Sequence, residues 1–194
     1  MSTVRKATSF LQFFHICEKL KRTKRTGWIK RGVKEPESIA DHMHRMSIMA
    51  LLIEDKGVNR DRCVKMAAVH DLAEAIVGDI TPHCGVSKTD KYKLEHDAMV
   101  KMVDTLGNSE QAQEIFELWK EYEEGSTSEA LLVKDLDKFE MIVQAIEYEK
   151  SDNISLNEFF ESTRGVFQHP QVKQWVEELY AEREASSKIV SHTE

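Results

Sequence analysis

Helix-breaking residues are scarce in this chain, and they fall between its periodic apolar stretches rather than inside them. Eight glycines and three prolines (Pro36, Pro82 and Pro170) are spread over 194 residues. A fold of many short strands needs frequent turns, so this punctuation favours long helices. The length suits one domain with a hydrophobic core and leaves little room for two.

The spacing of Phe10, Phe13, Phe14, Cys17 and Leu20 predicts a first helix over residues 5–22, with basic residues in its last turn. Arg5 and Lys6 ahead of an apolar run suggest a signal peptide, but Gln12 and His15 interrupt the run. A basic segment also stands where a small-residue cleavage site belongs, so the stretch reads as the first helix of the mature protein. Residues 23–37, with Gly27, Gly32 and Pro36, read as a loop. Ser38 then offers an N-cap, with Asp41 placed for a capping box. A second helix to about Asp55 buries Ile39, Met43, Met46, Met49, Ala50 and Ile53. A third starts at Asn59 or Asp61 and runs through Val64, Ala67, Ala68 and Ala75 to Gly78, followed by a loop over 79–88.

Further helices are expected at 88–106, 109–123 and 128–149, the last with Leu132, Leu136, Phe139, Ile142, Val143 and Ile146 on one face. After a break at Ser151–Asn153 comes a short element near Leu156 to Phe160. Pro170 opens a final helix striped with Val172, Trp175, Val176, Leu179 and Tyr180. The stripe either closes the core or supports a homodimer. The expectation is a single all-α domain over 1–194: a functional core at about 38–149, a helical extension over 150–185 and a frayed tail over 186–194.

The net charge is −7, yet Lys19 to Lys34 holds eight basic residues and no acid. A basic patch on an otherwise acidic chain suits a small anionic ligand better than a nucleic acid, whose flanks the acidic remainder would repel. No apolar run reaches bilayer length; the longest, Met46 to Ile53, is interrupted by Ser47. Neither a nucleic-acid nor a membrane partner is expected. Cys17, Cys63 and Cys84 are odd in number and lack CxxC spacing, which argues against a disulfide framework or a structural zinc site and fits a reducing cytoplasm.

The stretch AVHDLAEAIVGD, Ala68 to Asp79, carries the chemistry. Small apolar neighbours imply that His70, Asp71 and Glu74 are buried, and a buried carboxylate beside an imidazole needs a compensating partner. A divalent cation is one; an ordinary salt bridge is another. Successive helical residues diverge by about 100°, so His70 and Asp71 can share a cation off their common edge, with Glu74 one turn on. His42 on the preceding helix and Asp137 in the apolar part of a later one complete a set of two imidazoles and two carboxylates from three helices.

With GW at Gly27 and Trp28, PESIADH from Pro36 to His42, HDLAE from His70 to Glu74, GDITP from Gly78 to Pro82 and KDLD from Lys134 to Asp137, the chain resembles the HD-domain superfamily of metal-dependent phosphohydrolases. It is most similar to the 5′-deoxynucleotidase branch, from about Phe10 to Glu149. The resemblance implies His42, His70, Asp71 and Asp137 as metal ligands and Glu74 as the catalytic acid. It implies Asp79 near the substrate and, in some relatives, a second cation, here matching Glu74, Asp79 and the main-chain oxygen of Ile80. Trp28 is expected to pack against the nucleoside. Gly27 stands where bacterial relatives carry an arginine, and Arg25 is expected to take over that phosphate contact, with Arg31 or Lys88 assisting.

The activity so implied is hydrolysis of 2′-deoxyribonucleoside 5′-monophosphates. Two imidazole ligands favour Mn²⁺, Co²⁺ or Fe²⁺ at the primary site, with Mg²⁺ suited to a second. His44 faces away from His42 on its helix. His83 and His96 are the histidines that a bridged dinuclear site would recruit, but a loop position and charged neighbours argue against both. Two alternatives stand beside this reading: an HD-family phosphodiesterase or nucleoside triphosphohydrolase, and a non-catalytic helical adaptor using the basic segment.

Overall fold

The structure is a computed structural model that describes residues 3–190; the side chains of residues 3–6, 8, 83 and 186–190 lie outside the description. The described chain is helical: α1 (Thr3–Glu18), α2 (Thr26–Lys30), α3 (Ile39–Leu51), α4 (Arg60–Ala67), α5 (Glu74–Val77), α6 (Lys88–Thr105), α7 (Glu110–Glu124), α8 (Ser128–Asp152), α9 (Asn157–Thr163) and α10 (Pro170–Val190). Two single 3-10 turns lie at Lys19–Lys21 and Pro82–Cys84. Among the described residues no strand forms, and the one bridge pairs Lys24 with Ser38. The all-α expectation holds.

Local chemistry sets most of the boundaries. Ser38 caps α3 in a full capping box with Asp41, fixing the first turn from which His42 projects. Asn59, Ser87, Ser109 and Thr127 cap α4, α6, α7 and α8 through their side-chain oxygens. Pro170 opens α10, where its missing N–H costs nothing. That helix continues to Val190, and residues 191–194 of the expected tail lie outside the described residues.

Two expectations need correction. The 23–37 loop contains the short helix α2, seated by the Thr26 N–H donating to Asp79 Oδ2 at 2.6 Å. The expected third helix divides at Ala67. Residues 68–73 wind as tightened turns, with Leu72 N–H to Val69 O and Glu74 N–H to Asp71 O, each 3.1 Å, spanning three residues rather than four. In a continuing α-helix the Ala67 carbonyl would serve the Asp71 N–H. Instead it accepts from His70 Nδ1 at 2.9 Å, so a side chain has displaced the ladder.

α8 is the central helix and packs on α3, α4, α7, α9 and α10. Leu132, Val133, Leu136, Ile142 and Ala145 are buried within one apolar cluster, which α10 closes with Val172 and Val176. The final stripe therefore completes the core. A second cluster joins Phe13 and Leu20 to Leu72, Met99, Met102 and Trp119. α3 feeds both, with Met46 and Ala50 in the first and Ile39 and Met43 in the second. His42 lies on this same helix and is wholly buried.

Candidate metal centre

Three elements bring imidazoles and carboxylates to one point. α3 supplies His42, the turn after α4 supplies His70 and Asp71, and α8 supplies Asp137. One ligand atom each from His42, His70 and Asp137 lie within 4.8 Å of one another. Asp71 borders the same group, its Oδ2 3.2 Å from His70 Nε2 and 4.0 Å from His42 Nε2. His42 Nε2 lies 3.2 Å from Asp137 Oδ1, and the two imidazole centroids are 5.5 Å apart.

The far side of each ring is fixed. His70 Nδ1 donates to Ala67 O, and His42 Nδ1 is bonded to the buried Glu140 carboxylate. A proton on Nδ1 leaves the lone pair on Nε2, the arrangement that ligating histidines adopt. Both Nε2 atoms are buried and make no aligned hydrogen bond, although carboxylate oxygens stand 3.2 Å away. Lone pairs facing carboxylates at that distance repel unless positive charge lies between them. The residues present therefore fit a divalent cation.

Without a cation a proton takes that place. Burial and Arg25 act against the His42 imidazolium, but Asp137 and Glu140 outweigh them and raise its pKa to about 9. Burial works against the Asp71 carboxylate too, yet His70 and His42 draw it down to about 2. Asp137 is likewise lowered despite burial, chiefly by His42. Glu74 behaves oppositely: burial, then Asp71 and Asp79, push its carboxyl well above the usual range. A buried acid that keeps its proton beside an ionised one is placed for proton transfer.

Around this group lies a support layer that motif reasoning missed. Glu140 bonds Arg45 Nε at 2.8 Å as well as His42. Tyr122 donates to Asp137 Oδ2 at 2.9 Å, and its ring lies 4.8 Å from that of His70. Glu37 accepts from Trp28 Nε1 at 2.9 Å and stands 3.8 Å from Arg25. One signal was present for Glu140: it follows Asp137 by three residues, so both share a face of a helix whose neighbours are apolar.

The remaining expected residues separate by environment. Arg25 reaches the site: its guanidinium is enclosed between Glu37 and Glu140, and its Nη1 is buried without a hydrogen bond. A Cβ on Gly27 would meet the Phe159 ring at 3.6 Å, so an arginine at that position would start toward α9. Trp28 is 1% exposed, packed edge-on to Tyr148 and against Phe159. There its indole N–H supports Glu37. Arg31 pairs with Glu158, and Lys88 stands exposed at the start of α6.

Asp79 and Ile80 follow Gly78, whose φ of +78° turns the chain out of α5. One Asp79 oxygen is already engaged with Thr26, and its carbonyl accepts from Thr26 Oγ1 at 2.9 Å. His96 sits against Phe116 and Trp119, remote in its contacts from the imidazole pair. The His83 side chain lies outside the described residues.

Comparison with known proteins identifies the family. The HD domain family profile matches residues 17–179. The chain is 48% identical over 189 residues to 5′-deoxynucleotidase HDDC2 of Dictyostelium discoideum, covering 91% of this chain and 99% of that one. It is 49% identical over 179 residues to 5′-deoxynucleotidase HDDC2 of Homo sapiens, covering 91% and 87%. Among solved structures, the PH0347 protein of Pyrococcus horikoshii superposes with a TM-score of 0.73 at 36% identity, over 88% of this chain and 96% of that one.

Proposed function

The chain belongs to the HD-domain family, and from that premise we propose that it is a metal-dependent 5′-deoxynucleotidase, converting 2′-deoxyribonucleoside 5′-monophosphates to deoxynucleoside and phosphate. One observation carries the reading: His42, His70 and Asp137 converge with each imidazole Nδ1 engaged and each Nε2 bare.

In this reading His42, His70, Asp71 and Asp137 hold the cation. When bound, it supplies Lewis-acid polarisation of a phosphate oxygen and a more acidic water. Glu74, holding its proton, gives it to the 5′-oxygen as the P–O bond breaks and regains one from the water that attacks phosphorus. Arg25 presents its unbonded Nη1 to the phosphate oxygens, where charge-assisted bonds also fix orientation. Burial among Glu37 and Glu140 keeps that guanidinium rigid, so little freedom is lost on binding.

The finer assignments rest on narrower grounds. Two imidazoles support Mn²⁺, Co²⁺ or Fe²⁺ at the primary site. Glu74, Asp79 and the Ile80 carbonyl are the oxygen donors that would hold a second cation, for which Mg²⁺ is suited. Free Cys17, Cys63 and Cys84 support a reducing, cytoplasmic setting. Exposed Leu11 and Phe14 on α1 and Leu51 and Leu52 at the end of α3 support a homodimer. The whole chain is taken as one domain, because α1 and α10 both close clusters that border the site.

A turnover screen of ribo- and deoxyribonucleoside monophosphates with Mn²⁺, Co²⁺ and Mg²⁺ tests the proposal. Phosphate release from the deoxy series supports it. Release of pyrophosphate from triphosphates alone, or no turnover at all, overturns it.

A further inference from the structure

The carboxylates of Asp71, Asp79 and Asp137 outnumber the charge of one divalent cation. A phosphate dianion entering beside them therefore needs positive side chains beyond Arg25. α6 packs against α5, the helix that carries Glu74, and Lys91 lies in the first turn of α6. Lys91 Nζ lies 3.3 Å from Glu95 Oε1, and the Glu95 side chain is buried at 5% exposure while that of Lys91 keeps 38%.

We propose that Lys91 is a phosphate-contacting residue of this site and that buried Glu95 is the positioning residue that aims it. An ammonium has three donors; Glu95 takes one and leaves the others for an incoming anion. The charge of Lys91 is felt by Asp71 and Glu74, and Glu74 feels Arg25 as well. Two cations thus approach Glu74 from different elements, a clamp suited to spread phosphoryl charge. Neighbouring lysines are otherwise committed: Lys134 lies over the Tyr122 ring at 4.4 Å, and Lys138 reaches the Lys134 carbonyl. Lys88, the expected contact from this helix, is exposed one turn earlier.

The inference rests on the metal-site reading above but not on the identity of the nucleoside. Its test is the affinity of metal-loaded protein for inorganic phosphate, measured by calorimetry. Lys91→Met should weaken phosphate binding by about tenfold or more, the worth of a charge-assisted hydrogen bond, and Lys91→Arg should restore much of it. Glu95→Gln should weaken it less, with a rise in KM larger than any fall in kcat. If Lys91 only neutralises Glu95, the double variant Lys91→Met with Glu95→Gln should bind phosphate like the wild type; recovery of that kind overturns the proposal. Unchanged affinity in a folded Lys91→Met protein, or a wild type that binds no phosphate, overturns it too. Phosphate binding that falls with Lys91→Met in a protein inactive on deoxynucleotides supports this inference while refuting the substrate.

Discussion

His42 Nδ1 is bonded to the carboxylate of Glu140, and neither side chain has any exposure to solvent. The bond fixes the imidazole tautomer and turns Nε2 toward Asp137 and Asp71. Arg45 and Arg25 compensate the charge of Glu140, so burial of that carboxylate is balanced by three partners. Glu140→Gln should keep the fold and lower metal affinity by about 10–100-fold, the usual effect of losing a partner behind a ligating histidine. Metal titration of the chelated variant, followed by calorimetry, checks this.

Tyr122 performs the corresponding task for Asp137. Tyr122→Phe keeps the ring against His70 but removes the donor to Asp137 Oδ2. Up to about tenfold weaker metal binding is expected, from a hydrogen bond worth about 0.5–1.5 kcal/mol. Thermal stability of the metal-free protein should change little by comparison, since Tyr122→Phe removes the desolvated hydroxyl together with the bond.

Glu74→Gln should separate binding from turnover. The variant is isosteric, so cation content at the primary site should stay near the wild-type level while kcat falls by about 10²–10⁴-fold, the range for losing a general acid–base group. Wild-type kcat in a metal-loaded Glu74→Gln protein would remove Glu74 from the mechanism.

Asp135 offers the contrast two residues before Asp137. It is buried, and its Oδ2 accepts from the backbone N–H groups of Gln168 and His169, each at 2.7 Å, ahead of α10. Asp135→Ala strands those donors and should cost about 1–3 kcal/mol of stability, seen as a lower Tm. Activity per folded molecule should be retained. Two aspartates in one short motif thus have separate tasks, one for the fold and one for the site.

Much of this was legible in the sequence because it is local. The Ser38–Asp41 capping box, the Pro170 start of α10 and the apolar face of α8 follow from spacing alone. The motif residues His42, His70, Asp71 and Asp137 could be grouped by chemical type. What the sequence hid depends on contacts between distant segments. Glu140 becomes a partner of His42 across 98 positions, and Thr26 meets Asp79 across 53. The division of the third helix was hidden for a similar reason. Ala-rich propensity favours continuing it, and only the His70 bond to Ala67 O shows why it tightens. The packing of Trp28 on Tyr148 and Phe159 was hidden too, because an aromatic beside a basic loop is equally suited to stacking and to core filling.

Glu95 gives a pH test away from the ligands. Burial raises its carboxyl most; Lys91 opposes that and Glu123 adds to it, leaving it at about 7 against an ordinary 4.5. A carboxyl raised on folding favours the native state while protonated, so its contribution is full below about 4.5 and is lost as the pH rises through about 7. Glu95→Gln should therefore raise Tm relative to the wild type at a pH of about 8 and leave it near the wild-type value at about 5, as measured by thermal unfolding in the two buffers.

Deoxynucleotide hydrolysis by this chain should depend on a cation held by His42, His70, Asp71 and Asp137. That dependence is tested most directly by stripping the protein with chelator and restoring Mn²⁺ in steps while metal content and deoxynucleoside monophosphate turnover are recorded together. Turnover should vanish on stripping and return in proportion to bound metal, and Asp137→Ala should regain neither. Full turnover in the stripped protein, or in Asp137→Ala, would contradict it.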